Sequence, residues 1–156
     1  MSFLYLQIDE EGMEFFFWFF VDQTWIASSN GYHIQLKSPM KKQELEDRLV
    51  NFSIATARSV EKLPKTFTNM HLGKQIIRST ASAALNYGEA QGAESRADFI
   101  HKMQIALKEL KESFVCSKII IGLLASDTAP FSQLKEENNE LIAIFTVSIK
   151  TAKSNR

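Results

Sequence analysis

Seven polar residues near the middle of the chain are of types that could take part in chemistry. They lie within otherwise amphipathic sequence and are Arg78, Asn86, Glu89, Arg96, Lys102, Glu109 and Glu112. Asn86 and Glu89 are three residues apart, so they share one face of a helix and could pair with Arg96 or Lys102 beyond the next turn. No nucleophile or set of metal ligands accompanies the carboxylates, which argues against catalysis. We predict a hydrogen-bonded network that fixes helix register or a subunit contact. A ligand or nucleic-acid site is the alternative.

The three histidines do not form the metal-binding pattern that helical bundles use. Di-metal sites in bundles take a glutamate from each of two helices and a Glu-x-x-His motif from each of the other two. The position three residues before His33, His71 and His101 holds Asn, Thr and Asp, respectively. We therefore expect no metal and no cofactor. The single cysteine, Cys116, precludes an internal disulfide and is expected to pack as a small apolar side chain.

A second candidate surface is basic. On a helix, His101, Lys108, Lys111 and Lys118 fall within an arc of about 100°, and Lys74 and Arg78 form an i, i+4 pair. Residues 40–156 carry 17 of the 18 Lys and Arg residues but only 13 of the 18 acidic residues, a net charge of +4. A solvated face is the expected role of these six residues, and contact with phosphate groups is the alternative. Aromatic side chains do not alternate with the lysines, which favours backbone contact over base stacking.

Four amphipathic segments carry these residues, at about 41–63, 69–91, 95–125 and 131–153. Apolar residues recur in each at spacings of three, four or seven, which places them on one helical face. The predicted inner faces are Leu45, Leu49, Phe52, Thr56 and Leu63; Leu72, Ile76, Thr80, Ala83, Tyr87 and Ala90; Phe99, Met103, Ala106, Leu110, Phe114 and Ile121; and Leu134, Leu141, Phe145, Ser148 and Ala152. Long helices with short connections pack as antiparallel neighbours. The sequence thus predicts an all-α fold, an antiparallel up-down-up-down four-helix bundle over residues 40–156.

Local signals mark the ends of the predicted helices. Pro64 ends the first. Ser95 and Asp98 have the spacing of a capping box at the start of the third. Gly92 is placed just past the end of the second, where we expect a left-handed conformation.

Residues 1–39 differ from the rest of the chain and are treated as a separate extension. They hold a burst of aromatic residues, five acidic residues and a single base. The apolar run from Phe15 to Val21 is far shorter than the roughly 20 residues that cross a bilayer, so we expect no membrane association. Our hypothesis is that Met40 is the natural start. The alternative is a real extension, with 3–8 and 15–21 as short strands or a membrane-surface anchor.

The far end of the third helix is apolar on all sides. Ile119, Ile120 and Ile121 are followed closely by Leu123 and Leu124. A helix that is apolar all round is usually covered on every side. We predict that this end lies in a subunit interface or beneath residues 1–39.

Several short motifs together resemble a known bacterial family. They are Gly73–Ser79 (GKQIIRS), Asn86-Tyr87, Glu89-Ala90, Ser95, Asp98–Ile100 (DFI), Lys108-Glu109, Glu112-Ser113 and Glu137–Lys153 (ENNELIAIFTVSIKTAK). The resemblance is to four-helix-bundle proteins encoded in intervening sequences of 23S ribosomal RNA genes, and it spans about Met40 to Lys153. Accessory variability proteins of diversity-generating retroelements share the fold.

The resemblance implies a compact bundle that assembles into a ring, a pentamer, without enzymatic activity. Two hypotheses follow for the function. The first is a non-enzymatic, cytoplasmic homo-oligomeric scaffold that docks another protein. The second is an accessory protein that binds RNA or DNA together with a reverse transcriptase.

Overall fold

Four helices make up the body of the protein. The computed structural model describes residues 41–124 and 128–154, and the backbone of 25–29 and 32–36. The helices are α1 (Lys42–Glu61), α2 (Phe67–Gln91), α3 (Arg96–Leu123) and α4 (Ala129–Ser154). Each packs antiparallel to the next, and α1 closes the bundle by lying beside α4. The predicted up-down-up-down bundle is confirmed, with boundaries that differ from the predicted ones by one or two residues.

A short β-hairpin precedes the bundle. Strands β1 (Trp25–Ser29) and β2 (Tyr32–Leu36) pair antiparallel, with Trp25 opposite Leu36 and Ser29 opposite Tyr32. The sequence analysis did not predict it, although the intervening Asn30-Gly31 dipeptide is typical of two-residue hairpin turns. Strands of five residues contain too few alternations for a clear pattern. The strands considered at 3–8 and 15–21 lie outside the described residues.

The helix ends are fixed by local hydrogen bonds. The Oγ1 of Thr66 accepts from the backbone N–H of Asn69 at 3.2 Å, so α2 begins two residues earlier than predicted. The Oγ of Ser95 accepts from the N–H of Asp98 at 3.1 Å, as the sequence predicted. Gly92 lies just past the end of α2, as predicted, but its φ of −98° is not left-handed and is open to any residue.

The core contains most of the predicted inner faces, with one systematic difference on α3. Phe99, Met103, Ala106 and Leu110 are buried as predicted. Beyond them Phe114 and Ile121 are only half-buried, whereas the core positions are Ser113, Cys116, Ser117 and Ile120. Ser113 and Ser117 continue the 3.6-residue period of the inner face, but they were not predicted as core positions because they are polar. Small side chains here leave room for Asn138 of α4, whose Nδ2 donates to Ser113 Oγ at 2.7 Å.

Helix α2 approaches α1 closely through small side chains. Ser79, Thr80 and Ala83 are fully buried on α2. At Gly73 an added Cβ would lie 2.5 Å from Cγ1 of Val60 on α1, well inside van der Waals contact. Gly88, on the same helix, has open space around the same position.

Two glycine substitutions test this close approach. We expect Gly88→Ala to raise the free energy of unfolding by about 0.5–1 kcal/mol, because alanine loses less backbone entropy in a helix. We expect Gly73→Ala to lower it by about 1–3 kcal/mol, because the added methyl overpacks against Val60. Urea unfolding would measure both. The Val60→Ala background should remove the penalty at Gly73; an undiminished penalty would contradict the assignment.

Tyr87 of α2 contacts both α1 and α4, at the end of the α1–α2 contact that lies away from Gly73. Its ring is fully buried and meets Phe145 edge-on, with ring centroids 5.7 Å apart. Its hydroxyl donates to the backbone carbonyl of Lys42 at 3.2 Å. Burial, followed by the negative charge of Glu46, raises the pKa of Tyr87 above its ordinary value.

The raised pKa of Tyr87 predicts an alkaline loss of stability. Below the unfolded-state pKa of about 10 the phenol is neutral in both states, and its contribution is fully present. Above that pH the unfolded chain releases the proton while the folded chain retains it, so stability falls as pH rises. Tyr87→Phe should cost about 1 kcal/mol near pH 7. Unfolding measured from neutral to alkaline pH should show this deficit shrinking from about pH 10, and a constant deficit would contradict the assignment.

Candidate functional site

The most extensive ion pairing in the described residues connects α1 to α4. Arg48 Nε lies 2.6 Å from Glu137 Oε1, and its Nη2 lies 2.8 Å from Glu137 Oε2. The same Nη2 also donates to Glu140. Burial alone would lower the pKa of the guanidinium, but the hydrogen bonds and charges of the two glutamates outweigh it and raise the pKa. These residues were not predicted from sequence, because a pair 89 positions apart meets only if both side chains lie at the same level of the bundle and on facing sides of α1 and α4.

One of the predicted contacts across the α2–α3 turn is present in the structure. Lys102 Nζ lies 2.5 Å from Glu89 Oε2. The hydrogen bond to Glu89 raises the pKa of Lys102. Asn86 does not join them, since its Nδ2 donates to the carbonyl and hydroxyl oxygens of Ser82 on its own helix.

The other predicted network residues lie apart from this pair. Arg96 Nε donates to the carbonyl of Ala152 at 2.7 Å and so binds the last turn of α4. Glu112 accepts from Gln75 Nε2 across the α2–α3 contact. Arg78 is exposed and Glu109 is half-buried. Glu89 and Lys102 thus pair with each other, while Asn86, Arg96 and Glu112 make separate contacts. The structure does not join the seven residues in a single network, because they occupy different levels of α2 and α3.

The six candidate nucleic-acid contacts are all exposed, at Lys74, Arg78, His101, Lys108, Lys111 and Lys118. Lys118 Nζ lies 5.9 Å from the centre of the Phe114 ring. Carboxylates lie on the same two helices, because Glu89 and Glu112 each form a hydrogen bond between α2 and α3. Alternating signs make a weaker phosphate-binding surface than a uniform basic stripe.

A groove of about 770 Å³ opens between α1 and α4. Phe52 and Leu134 contribute apolar side chains to its lining, and charged residues of α1 line its length. Among the helix pairs of the bundle that are adjacent, α1 and α4 contact each other least. The Arg48–Glu137 ion pair bridges this groove.

Neither a metal centre nor a membrane span emerges from the described part of the chain. No three His, Cys, Asp or Glu side chains there lie close enough to share a metal ion. None of the helices is both long and apolar enough to cross a bilayer. Cys116 is a free, buried thiol whose pKa is raised by burial and then by the charge of Glu112. A raised pKa suppresses the reactive thiolate, which agrees with the predicted packing role.

The described helices form a four-helix bundle with an ion-paired groove between α1 and α4. The family model for the 23S rRNA-intervening sequence protein matches residues 41–146. The chain therefore belongs to that family. The match begins at the start of α1 and leaves out the hairpin.

One solved structure is similar over the whole bundle. It is the crystal structure of a protein of unknown function from the S23 ribosomal protein family of Bacteroides thetaiotaomicron. The identity is 29 %, the TM-score is 0.64, and the alignment covers 71 % of this chain and 99 % of that one. The curated proteins contain no match to this chain.

The Arg48 ion pair should contribute more to stability than the Lys102 pair. We expect Arg48→Met to lower the free energy of unfolding by about 1–2 kcal/mol, because it leaves two adjacent carboxylates without their cation. Lys102→Met, the matched control, removes a more exposed pair that water screens, so it should change the free energy of unfolding much less. Urea unfolding compares the two. Equal losses would mean that Arg48 does not connect α1 to α4 as described.

Proposed function

We propose that this protein is a non-enzymatic scaffold that associates with copies of itself and docks a further protein. The observation that carries the proposal is an apolar end of the bundle, defined as Phe67, Met70, Ile119 and Leu123. Their side chains are 88 %, 53 %, 44 % and 53 % exposed. Helices α2 and α3 run antiparallel, so Phe67 and Met70 lie at the level of Leu123 and Ile119. Large apolar side chains exposed at one level of the bundle indicate an interaction surface.

The apolar end includes the part of α3 that the sequence analysis expected to be covered. Ile120 faces the core, while Ile119 and Leu123 face outward. Transfer of such side chains out of water favours association. A ring of five copies and a cytoplasmic location are the particular forms that the family resemblance implies. A reverse transcriptase is the further partner that the retroelement branch suggests.

Light scattering on the full chain at micromolar concentration tests self-association. We expect a mass of several chains, and we expect Ile119→Ser with Leu123→Ser to reduce it, because the substitutions remove apolar area from the interface. The matched control is Leu85→Ser, which removes an exposed leucine outside the apolar end and should leave the mass unchanged. A monomer in the unsubstituted chain would contradict the proposal, as would an equal effect of the control.

The second candidate function is nucleic-acid binding through the six exposed basic residues. It is favoured by their common exposure and opposed by the carboxylates between α2 and α3. A mobility-shift assay with structured RNA separates the two functions. Binding that weakens steeply with salt and is lost in Lys108→Glu with Lys111→Glu would establish the second function. An absence of binding at low salt would exclude it.

A further inference from the structure

Helix α1 carries charged residues in an arrangement that is complementary to itself. One stripe of the helix, which we call the α1 stripe, has spacings of three and four residues and lines the groove beside α4. It consists of Glu44, Asp47, Asn51, Ala55, Arg58 and Lys62. All six residues are exposed. The acids occupy the first half of the stripe and the bases occupy the second.

The charges of the α1 stripe are not neutralised within the described chain. Glu44 accepts from the backbone N–H of Lys41, and Asp47 accepts from the side-chain amide of Gln43, each at 3.0 Å. Neither of these donors is a cationic side-chain group. Arg58 and Lys62 form no ion pair with any residue in 41–124 or 128–154.

This arrangement is unfavourable within a single helix. Glu44 and Asp47 are like charges at i, i+3, and Arg58 and Lys62 are like charges at i, i+4, which repel on a helix surface. The helix macrodipole would favour acids at the beginning and bases at the end. The stripe follows that preference, since Glu44 lies in the first turn of α1 and Arg58 lies in the last. Only the like-charge spacings are therefore unfavourable within the helix.

A second copy of the chain, related by a two-fold axis, resolves the repulsion. If the two α1 helices lie antiparallel with the axis between Asn51 and Ala55, Glu44 faces Lys62 of the other copy and Asp47 faces its Arg58. Each contact occurs twice, as in any isologous interface. The contact would run along about 27 Å of helix at 1.5 Å per residue. Ala55 at the centre is small enough for the two backbones to approach.

Apolar area is available beside the charges. Val50 and Ile54, each 43 % exposed, flank the stripe on one side. On the other side, Phe52 and Leu134 line the groove but are already buried in the core. The stripe would supply orientation and register, and Val50 and Ile54 would supply buried apolar area.

We propose that the α1 stripe is a two-fold interface between two copies of this chain. The proposal rests on the self-association put forward above, but it uses a surface separate from the apolar end. A two-fold contact can join two single chains or two larger rings. In either case its loss halves the mass of the assembly.

Two charge-reversal variants of the full chain test the proposal. The first is Glu44→Lys with Asp47→Lys, which makes the stripe entirely basic. The second is Arg58→Glu with Lys62→Glu, which makes it entirely acidic. Sedimentation velocity of each variant alone should show the mass reduced to half, with the dissociation constant raised roughly a hundredfold, because four attractive contacts become repulsive. High salt should weaken association of the unsubstituted chain.

Mixing the two variants gives the decisive result. All four contacts become attractive between an entirely basic and an entirely acidic stripe, so the mixture should regain the full mass. The matched control is Glu61→Lys with Glu94→Lys, which changes the net charge by the same amount at exposed sites off the stripe and should keep the full mass. Melting curves from circular dichroism show whether loss of the Glu44 contact to Lys41 has unfolded α1.

The outcomes separate this inference from the proposed function. If the unsubstituted chain assembles and both reversals leave its mass unchanged, the two-fold interface is overturned and the scaffold proposal stands. The two-fold interface is likewise overturned if the variants keep the full mass and show only a lower melting temperature, since the charges then act within the helix alone. If the mixed variants do not recover the full mass, the antiparallel pairing is wrong. A monomer in all conditions overturns both proposals.

Discussion

The close approach of α2 to its neighbours is the constraint on which the rest of the structure depends. Glycine, serine, threonine and alanine along its inner face let α1 come within van der Waals distance at Gly73 and Val60. Helix α1 contacts α2 more extensively than it contacts α4, and a groove remains between α1 and α4. A long side chain, Arg48, then bridges the gap that packing leaves.

The polar contacts have distinct physical roles that follow from where they lie. Asn138 and Ser113 are fully buried between α3 and α4, where a hydrogen bond offsets the loss of water and restricts the relative register of the two helices. Lys102 and Glu89 lie at the surface near a turn, where water screens their attraction. The Arg48 pairs are intermediate in exposure, and their bidentate geometry defines the α1–α4 distance.

Much of the fold could be predicted from the sequence, and the failures have identifiable causes. Regular apolar spacing predicted the four helices, and Ser95 with Asp98 predicted where α3 begins, because these signals act within a few residues. The α3 face was predicted incorrectly beyond Leu110, since Ser113 and Ser117 are polar residues that pack as small ones. The candidate site was predicted less well. Glu89 and Lys102 were correctly placed beside one turn, whereas Arg48 and Glu137 are 89 positions apart in sequence.

The sequence by itself determined the class of fold, the helix boundaries and the family, because periodicity, capping residues and short motifs are local properties of the chain. Only the tertiary structure decided which outward surfaces remain open. The apolar end exists because the start of α2 and the end of α3 lie at the same level of the bundle. The groove exists because α1 contacts α4 less extensively than it contacts α2. The order of charges in the α1 stripe can be read from the sequence, but the exposure of the stripe along a groove cannot. Exposure depends on every element that packs nearby, and that information is distributed over the whole chain.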